Sequence, residues 1–352
     1  MARIIGIDLG AWSVKATILE GGFSRFEVTE QTSQLVAQTD GSLPDRSAKI
    51  EALETILSTV GVDENTLVGT GFPIDQASIR LIKMPFADKN QIAQTLEFEV
   101  EGLVPYDLEE MVVSHRIVST STDGSSVLAA IAPKEQLGPF IRDLAEADAD
   151  PKTIVIDGDL LSTYGEYGTE AIIDIGHART IVTVSREGSA VYSRGISIGG
   201  WHLTQAIANH SNVSFEAAQK IKHGLSLSTS TYAEWDDEDE TQTDAPIPAN
   251  PPDNESAVVR EALKPLFASI RTSLVGFEDA SGHEIDRIRL TGGSSEMVGL
   301  INLLKVEMGV PVSKVAPGSV DLHSPYGHTL SQAYAQRAAG IGTDQALEFR
   351  TD

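Results

Sequence analysis

Short apolar runs alternate with Asp-x-Gly turns in two places along this chain, and each place predicts a β-hairpin. The two stretches are residues 4–18, with Asp8-Leu9-Gly10 at the turn, and residues 172–184, with Asp174-Ile175-Gly176 at the turn. Apolar runs of this length, bounded by turn residues, are typical of buried strands. Because the two hairpins lie about one domain length apart, the pattern predicts a duplicated α/β fold.

The same periodicities outline the rest of the first half. A third strand is expected at 23–29, a helix at about 46–60 and a buried strand at 67–72. From about 80 to 150 the order becomes strand, helix, strand, strand, helix, with Asp88 placed to cap the first helix. This block predicts a small α+β subdomain that is inserted into the first half.

The second half opens with its own hairpin and continues with helices. Gly199-Gly200 precedes a helix, a second helix begins near Ser214, and a strand at 285–290 leads into Thr291-Gly292-Gly293-Ser294. Residues 228–256 carry an acidic run and several prolines, which predicts a disordered loop. The expected division is residues 1–168 for the first half with its insertion at about 80–150, 169–325 for the second half, 326–342 for a C-terminal helix that returns to the first half, and 343–352 for a tail.

Composition narrows the classes of function. The 352 residues include 51 acidic and 26 basic side chains, and the formal net charge is −25. Such a chain has no basic footprint for nucleic acid, and direct adsorption to anionic lipid is disfavoured for the same reason. Cysteine is absent, which excludes disulfides and thiolate sites. No run approaches the roughly 20 apolar residues that a membrane span needs, so any membrane role is expected to depend on a partner.

The two hairpins suggest a clasp for phosphate and metal. Each buried strand delivers a carboxylate to the hairpin tip, where the glycine allows backbone N–H groups to approach an anion closely. Two facing tips would hold the phosphates of one nucleotide and its Mg²⁺ ion. The alternative is a pair of ordinary hairpin turns, in which Asp and Gly are common. The Gly292-Gly293 turn, between a strand and a helix, would supply a third wall for a base and ribose.

With these three elements in order, the chain resembles the actin-like ATPase superfamily, whose fold is a duplicated, ribonuclease H-like α/β fold. It most closely resembles the branch that comprises PilM of type IV pilus assembly and the cytoplasmic domain of GspL in type II secretion. The block at 80–106 separates this branch from sugar kinases and from actin. The resemblance rests on Gly6–Gly10 with Val14-Lys15, on Arg80–Asp88, on Leu96–Tyr106, on Arg194–Gly200 and on His202–Ala208.

The resemblance implies ATP and Mg²⁺ as ligands and assigns residues to them. Asp8 and Asp174 would hold Mg²⁺ through water and phosphate. The implied nucleotide-binding residues are Asp8, Gly10, Ser13 and Lys15 in the first phosphate loop, Asp174, Gly176 and Thr180 in the second, Gln219 and Lys222 on a helix, and Gly292, Gly293 and Ser294 at the adenosine. Relatives commonly carry Ala-Glu-x-x-Lys on that helix, so Gln219 replaces a carboxylate. Trp12 and Trp201 also add bulk beside loops that are usually small or polar.

Catalysis has no clear candidate in the sequence. Asp157 and Asp159 qualify by location, near the hinge where a group would position water. The alternative is that both are turn residues before a helix. We therefore expect at most a weak ATPase. The histidines show no metal spacing. His177 either touches phosphate or faces solvent.

A separate surface is expected to hold a partner. Phe86, Glu97, Pro105 and Tyr106 would line a groove for an extended peptide. In PilM-like proteins, an N-terminal segment of the bitopic membrane protein PilN lies in such a groove. The alternative is that Phe86 and Tyr106 belong to the core of the subdomain.

The resemblance thus implies a cytoplasmic nucleotide-binding scaffold in the inner-membrane platform of a type IV pilus or type II secretion system. It would be peripheral to the inner membrane, binding a bitopic protein (PilN-like or its secretion equivalent) and linking it to a motor ATPase. A GspL-like chain would continue past Arg350 into a membrane span. The alternatives are a small-molecule kinase of the superfamily, which needs a base aimed at an acceptor hydroxyl, and a cell-division actin homologue, which usually carries an amphipathic membrane helix.

Overall fold

The computed structural model describes residues 2–22, 25–38, 41–227, 254–315, 327–341 and 346–351. Its strands are β1 (Ala2–Leu9), β2 (Ser13–Gly22), β3 (Arg25–Leu35), β4 (Thr66–Phe72), β5 (Ser78–Met84), β6 (Met111–Ser121), β7 (Gly124–Pro133), β8 (Thr153–Ile156), β9 (Thr169–Ile175), β10 (Thr180–Arg186), β11 (Ser189–Ile196), β12 (Arg287–Thr291), β13 (Val312–Lys314) and β14 (Glu348–Thr351). Its helices are α1 (Arg46–Val60), α2 (Lys89–Glu101), α3 (Lys134–Glu146), α4 (Gly200–Ser211), α5 (Phe215–Gly224), α6 (Asn254–Ser281), α7 (Leu300–Met308) and α8 (Thr329–Ala338).

Two sheets that share an arrangement of five strands form the two halves of the molecule, and the first sheet has β14 as a sixth strand. One sheet has the order β14-β8-β4-β1-β2-β3 and the other has the order β11-β10-β9-β12-β13. In each sheet three antiparallel strands are followed by two parallel ones, since β1 pairs with β4 and β4 with β8 just as β9 pairs with β12 and β12 with β13. The hairpins predicted from the sequence open both sheets, and the duplicated α/β fold is confirmed.

The helices begin and end where local chemistry favours it. The Asp45 carboxylate accepts from the Ala48 N–H at the start of α1, and Asp88 does the same for Gln91 in α2. Ser214 caps α5 in the same way. The predicted disordered loop at 228–256 lies outside the described residues up to 253, and the chain from Asn254 onward belongs to α6.

The insertion is a three-stranded sheet of order β5-β7-β6, and α2 covers one face of it. The apolar side chains of α2 that point to this sheet are Ile92, Leu96 and Val100. The sequence predicts α3 as part of the insertion. Its buried face, however, packs into the core of the first half through Leu137, Phe140 and Leu144. These contacts place α3 with the first half. Strand β7 is buried on both faces, so it packs against the core of the first half on one side and the core of the insertion on the other.

Helix α8 returns to the first half and packs closely on β1. A Cβ atom at Gly6 would lie only 1.9 Å from the Ser331 carbonyl oxygen and 2.3 Å from the Ala335 nitrogen. Only glycine permits this approach between a strand and a helix backbone. The Tyr164 hydroxyl, on the crossing from β8 to β9, donates to the Thr329 carbonyl at 3.0 Å. The chain passes between the halves once from β8 to β9 and once at the start of α8, and this hydrogen bond joins the two passages.

The end of the chain differs from the expected tail. Glu348–Thr351 form β14, which pairs antiparallel with β8 at the edge of the first sheet. Leu347 is completely buried, and its N–H donates to the Asp159 carboxylate at 3.1 Å. These contacts need partners nearly 200 residues away, which local sequence patterns do not reveal.

No helix among the described residues combines the length and the apolar character needed to cross a bilayer.

Candidate functional site

A cavity of about 420 Å³ lies between the two halves, and both predicted hairpins open into it. The turn after β1, the turn after β9, the loop after β12 and helix α5 form its walls. Most of the nucleotide-binding residues expected from the sequence line this cleft: Asp8, Gly10, Ser13, Lys15, Asp174, Gly176, Gln219, Lys222, Gly292, Gly293 and Ser294.

Thr180 and Asp159 do not line the cleft. The Thr180 side chain is fully buried, and its hydroxyl donates to the Ile198 carbonyl at 2.8 Å. Asp159 is buried away from the cavity, where its carboxylate accepts from Arg116 at 2.8 and 3.1 Å. Of the two candidate catalytic carboxylates, therefore, only Asp157 lines the cavity.

The first hairpin places a carboxylate and an amine side by side. Asp8 and Lys15 are register partners on β1 and β2, and the Lys15 Nζ lies 3.8 Å from the Asp8 carboxylate. Both side chains are partly exposed to the cleft. An ammonium in this position can contact a phosphate, while the carboxylate can face a cation.

The second hairpin presents Asp174, which is buried. Burial raises the pKa of Asp174 to about 7, the negative charge of Asp8 adds to that effect, and Lys15 opposes it. A divalent cation between Asp8 and Asp174 would remove this repulsion, so the two carboxylates suit Mg²⁺ held through water and phosphate. Among the described residues, no group of three or more His, Asp or Glu side chains is placed to hold a metal ion.

The loop after β12 reaches the second hairpin so closely that it requires glycine. Gly292 has a φ of +88°, and a Cβ there would lie 2.4 Å from Asp174 Oδ1. Gly293 next to it has open space at the same position. Ser294 follows in a 3-10 turn and its Oγ lies 3.4 Å from the Gly176 carbonyl. Bare backbone thus faces the cleft at this wall.

Helices α4 and α5 add a buried polar network. The Lys222 Nζ donates to the Gly200 carbonyl at 3.0 Å and to Thr204 Oγ1 at 2.8 Å. Thr204 in turn donates to Gln219 Oε1 at 2.5 Å. Burial lowers the pKa of Lys222 to about 8. Gln219 thus accepts a hydrogen bond from a neutral hydroxyl in this network.

Arg179 is the main cleft residue that the sequence did not single out. It lies in the second phosphate turn, and its guanidinium pairs with Asp157 and, at 3.2 Å, with Asp75. The Tyr334 hydroxyl of α8 donates to the other oxygen of Asp157 at 3.0 Å. Burial raises the pKa of Asp157, against the effect of Arg179 and of these hydrogen bonds. The sequence does show an arginine in this turn, between Gly176 and Thr180. Its carboxylate partners are remote in the sequence, so the pairing could not be predicted.

Aromatic and imidazole rings close one side of the cleft. Trp12 and His177, from the two opposite turns, have ring centroids 5.2 Å apart, and His223 lies 6.2 Å from Trp12. Burial lowers the pKa of His177 to about 3, so its ring is neutral near pH 7. The Trp201 Nε1 donates to the Gly41 carbonyl of the first half at 2.7 Å. His177 thus lines the cleft beside Trp12 and is partly buried.

The residues expected to form a partner groove lie on the insertion. Glu97 and Pro105 are exposed, whereas Phe86 and Tyr106 are half-buried against the core formed by α2 and the small sheet. Phe98 on the outer face of α2 is 69% exposed. Phe86 and Tyr106 therefore pack against the core of the insertion and are partly exposed at its surface.

Comparison with protein families gives two matches. The model described as type IV pilus assembly protein PilM matches residues 6–235, well over half of the chain and including the insertion. The model described as cell division protein FtsA matches residues 171–337.

Similar proteins and structures agree with this fold. The cell division protein FtsA of Rhizobium meliloti is 30% identical over 142 residues, which cover 37% of this chain and 30% of that protein. FtsA of Staphylococcus epidermidis is 24% identical over 291 residues, which cover 79% of this chain and 61% of that protein. The chain thus spans less than two thirds of either relative.

Two solved structures show the same architecture. The PilM–PilN type IV pilus biogenesis complex has a TM-score of 0.74 at 18% identity, with 95% of this chain and 98% of that chain covered. MreB 5 of Spiroplasma citri bound to AMPPNP has a TM-score of 0.52 at 13% identity, with 95% of each chain covered. The fold is therefore actin-like.

Proposed function

The chain belongs to the type IV pilus assembly protein PilM family, and on that premise we propose that it is a nucleotide-binding scaffold of a type IV pilus assembly platform. The observation that carries the proposal is the cleft, in which Asp8, Lys15, Asp174 and the Gly292-Gly293 backbone from both halves face one cavity. The scaffold would lie at the cytoplasmic face of the inner membrane and be held there by partners.

The ligand of the cleft is proposed to be ATP with Mg²⁺. Backbone N–H groups at Gly10 and Gly176 and the Lys15 ammonium would hold phosphates, and Asp8 and Asp174 would face the cation. The bare backbone at Gly292–Ser294 would accept the adenosine. The structure of MreB 5 bound to AMPPNP, which shares the fold, supports this choice of ligand.

Hydrolysis is proposed to be weak at most. Asp157 is the carboxylate at the hinge that lines the cleft. It is buried, Tyr334 donates to one of its oxygens, and in the empty cleft Arg179 pairs with the other. A general base needs an acceptor that is free to take a proton from water. The nucleotide would then act as a ligand that changes the angle between the halves.

The insertion is proposed to bind a bitopic inner-membrane protein. The groove would use Phe86, Glu97, Pro105 and Tyr106, with an extended N-terminal peptide as its ligand. The similarity to a PilM–PilN complex supports a PilN-like partner. The same scaffold would then connect this partner to the motor ATPase of the pilus machine.

Isothermal titration calorimetry with Mg·ATP tests the nucleotide site. We expect Asp8→Ala and Asp174→Ala each to weaken binding by about tenfold or more, since each removes a charge that faces the cation. Asp123→Ala, in the exposed β6–β7 turn, is the matched control. Equal affinity in all four proteins would refute this use of the cleft.

Binding of a synthetic peptide tests the groove. The peptide is the N-terminal segment of the bitopic protein encoded by the neighbouring gene. Tyr106→Ala is expected to weaken its binding by about tenfold, as loss of an aromatic anchor does at other interfaces. Tyr167→Ala, which removes a tyrosine that is 83% exposed elsewhere, serves as the control. If both variants bind like the unmodified protein, the groove lies elsewhere.

The second candidate function is a role in cell division, favoured by the match of residues 171–337 to FtsA. That match covers the second half and α8, whereas the PilM match includes the insertion that would bind the partner. Binding of the bitopic peptide, measured as above, separates the two candidates.

A further inference from the structure

Arg179 joins the two halves of the molecule across the floor of the cleft. It lies on the turn between β9 and β10 in the second half. Its two carboxylate partners, Asp157 after β8 and Asp75 on a 3-10 turn, both belong to the first half. A single guanidinium therefore forms an ion-paired bridge between the halves at the base of the proposed nucleotide site.

The two ends of this bridge differ in their environment. Asp157 is 4% exposed and is fixed by the Tyr334 hydroxyl, so it stays with the first half. The Arg179 side chain is 23% exposed and lines the cavity together with Asp8, Lys15 and Asp174. The guanidinium can therefore reach an anion in the cleft, since it carries five N–H donors in a planar fork.

A second cation stands close to the same carboxylates. Lys49 on α1 is half-buried, and among the described residues no carboxylate lies within 4.0 Å of its amine. Burial and the charge of Arg179 lower the pKa of Lys49, while Asp75, Asp8 and Asp157 raise it. Lys49 thus interacts with the acids that Arg179 holds, without being paired to any of them. The positive charge of Lys49 therefore acts on the same carboxylates as that of Arg179.

We propose that Arg179 is a phosphate-sensing latch, which holds the halves together through Asp157 and Asp75 when the cleft is empty and transfers to the terminal phosphate of a nucleoside triphosphate. This proposal rests on the proposed nucleotide binding. The terminal phosphate of a nucleoside triphosphate offers several charged oxygens, two of which can accept together from the planar guanidinium fork. Asp157, the buried one of the two carboxylates, keeps the hydrogen bond from Tyr334 when the guanidinium leaves, and the charge of Lys49 offsets part of the loss. The latch would make the angle between the halves depend on the third phosphate.

Calorimetry with Mg·ATP and Mg·ADP on the unmodified protein and three variants tests the latch. Arg179→Ala is expected to weaken ATP binding by about tenfold and ADP binding by less than about twofold, because only ATP supplies the terminal phosphate. Arg179→Lys is expected to recover part of the loss. Arg194→Ala, at an exposed arginine on β11 of the same half, is the control and should leave both affinities unchanged.

Asp157→Asn gives an effect of the opposite sign. The amide keeps an acceptor for Tyr334 but no longer holds the guanidinium by charge. Arg179 then keeps its pair with Asp75 and is held less tightly against transfer to phosphate. We expect ATP affinity to rise by about threefold, with ADP affinity unchanged. If the ion pair has only a structural role, Arg179→Ala and Asp157→Asn should both lower the thermal midpoint. Neither variant should then change the ratio of ATP affinity to ADP affinity.

The absence of cysteine in the chain allows a direct measurement of the angle. Spin labels on Glu54→Cys in α1 and His210→Cys in α4, both exposed, report the distance between the halves by double electron–electron resonance. ATP is expected to shift this distance and ADP to shift it less, and Arg179→Ala should broaden the distribution in the empty protein and remove the difference between the nucleotides.

The outcomes separate this proposal from the one on which it rests. If the unmodified protein binds neither ATP nor ADP, the proposed nucleotide site fails and the latch fails with it. If it binds both, and Arg179→Ala keeps the same ratio of ATP to ADP affinity, the latch is wrong while the nucleotide site stands. A fall in that ratio together with the opposite effect of Asp157→Asn supports the latch.

Discussion

Asp174 carries a cost in stability for its position in the cleft. Burial, and the nearby charge of Asp8, raise its pKa from the ordinary value of 3.8 to about 7. The folded protein therefore binds this proton more tightly than the unfolded chain does. The contribution that protonated Asp174 makes to the free energy of unfolding is fully present below pH 3.8 and is lost as the pH rises through about 7.

Asp174→Asn is accordingly expected to stabilise the protein in the absence of nucleotide and Mg²⁺. The gain over the unmodified protein should be small near pH 4, should grow through pH 5 and 6, and should level off above about pH 7 at no more than about 4 kcal/mol. Urea unfolding at each pH in the presence of EDTA measures it. A gain that is the same at pH 4 and pH 8 would contradict this electrostatic origin.

Gly292 and Gly293 form a matched pair for testing the cleft wall. Gly292→Ala forces a Cβ to 2.4 Å from Asp174 Oδ1 at a φ of +88°, whereas Gly293→Ala meets nothing within 4 Å. We expect the first substitution to lower the free energy of unfolding by about 2–4 kcal/mol and to abolish nucleotide binding. The second should change stability by less than about 1 kcal/mol. Similar thermal midpoints for the two variants would show that the loop adapts more freely than its contacts indicate.

At the scale of elements, the sequence predicts the helices and strands that are stabilised by contacts between residues close together in the chain. The two hairpins, α1, α2 and the three strands of the insertion follow from apolar periodicity and caps such as Asp88, all within one or two dozen residues. Strand β14 could not be found this way, because its four residues carry no distinctive period and their partner β8 is about 200 residues away. Arg179 was missed for a related reason. Its charge was visible, but its pairing with Asp157 and Asp75 exists only once the halves meet.

The terminal strand predicts a measurable contribution to stability. Leu347 is completely buried in the core of the first half, while the nearby Ile341 is 41% exposed. Leu347→Ala is expected to lower the free energy of unfolding by about 3 kcal/mol, since it removes buried methyl groups and leaves a cavity. Ile341→Ala should cost less than about 1 kcal/mol. Equal effects in urea unfolding would mean that β14 does not belong to the cooperative core.

At the scale of the whole molecule, one buried ion pair ties three parts together. Arg116 on β6 of the insertion donates to Asp159 of the first half at 2.8 and 3.1 Å, and to the Ala190 carbonyl of the second half at 2.6 Å. Both charged side chains are at most 5% exposed. This pair therefore contacts the insertion and both halves at one buried point.

Arg116→Ala is expected to cost about 3–5 kcal/mol, because it leaves the Asp159 carboxylate buried without its countercharge. Arg25→Ala, which breaks a pair whose side chains are 85% and 67% exposed, should cost less than about 1 kcal/mol. The double variant Arg116→Met with Asp159→Asn removes both charges and should be more stable than Arg116→Ala. Chemical denaturation compares them, and a double variant no better than the single one would assign the loss to packing instead.

The return of α8 and β14 to the first half has a consequence for the order in which the nascent protein takes shape. Strands β9 to β13 and the helices between them come from one continuous stretch, 169–314, so the second sheet can assemble as soon as that stretch leaves the ribosome. The first sheet must wait, since the helix that covers Gly6 and the strand at its edge are both synthesised after residue 328. The half that is translated first is therefore the half that is completed last, and until then its uncovered face and open edge are the surfaces that a chaperone would need to shield.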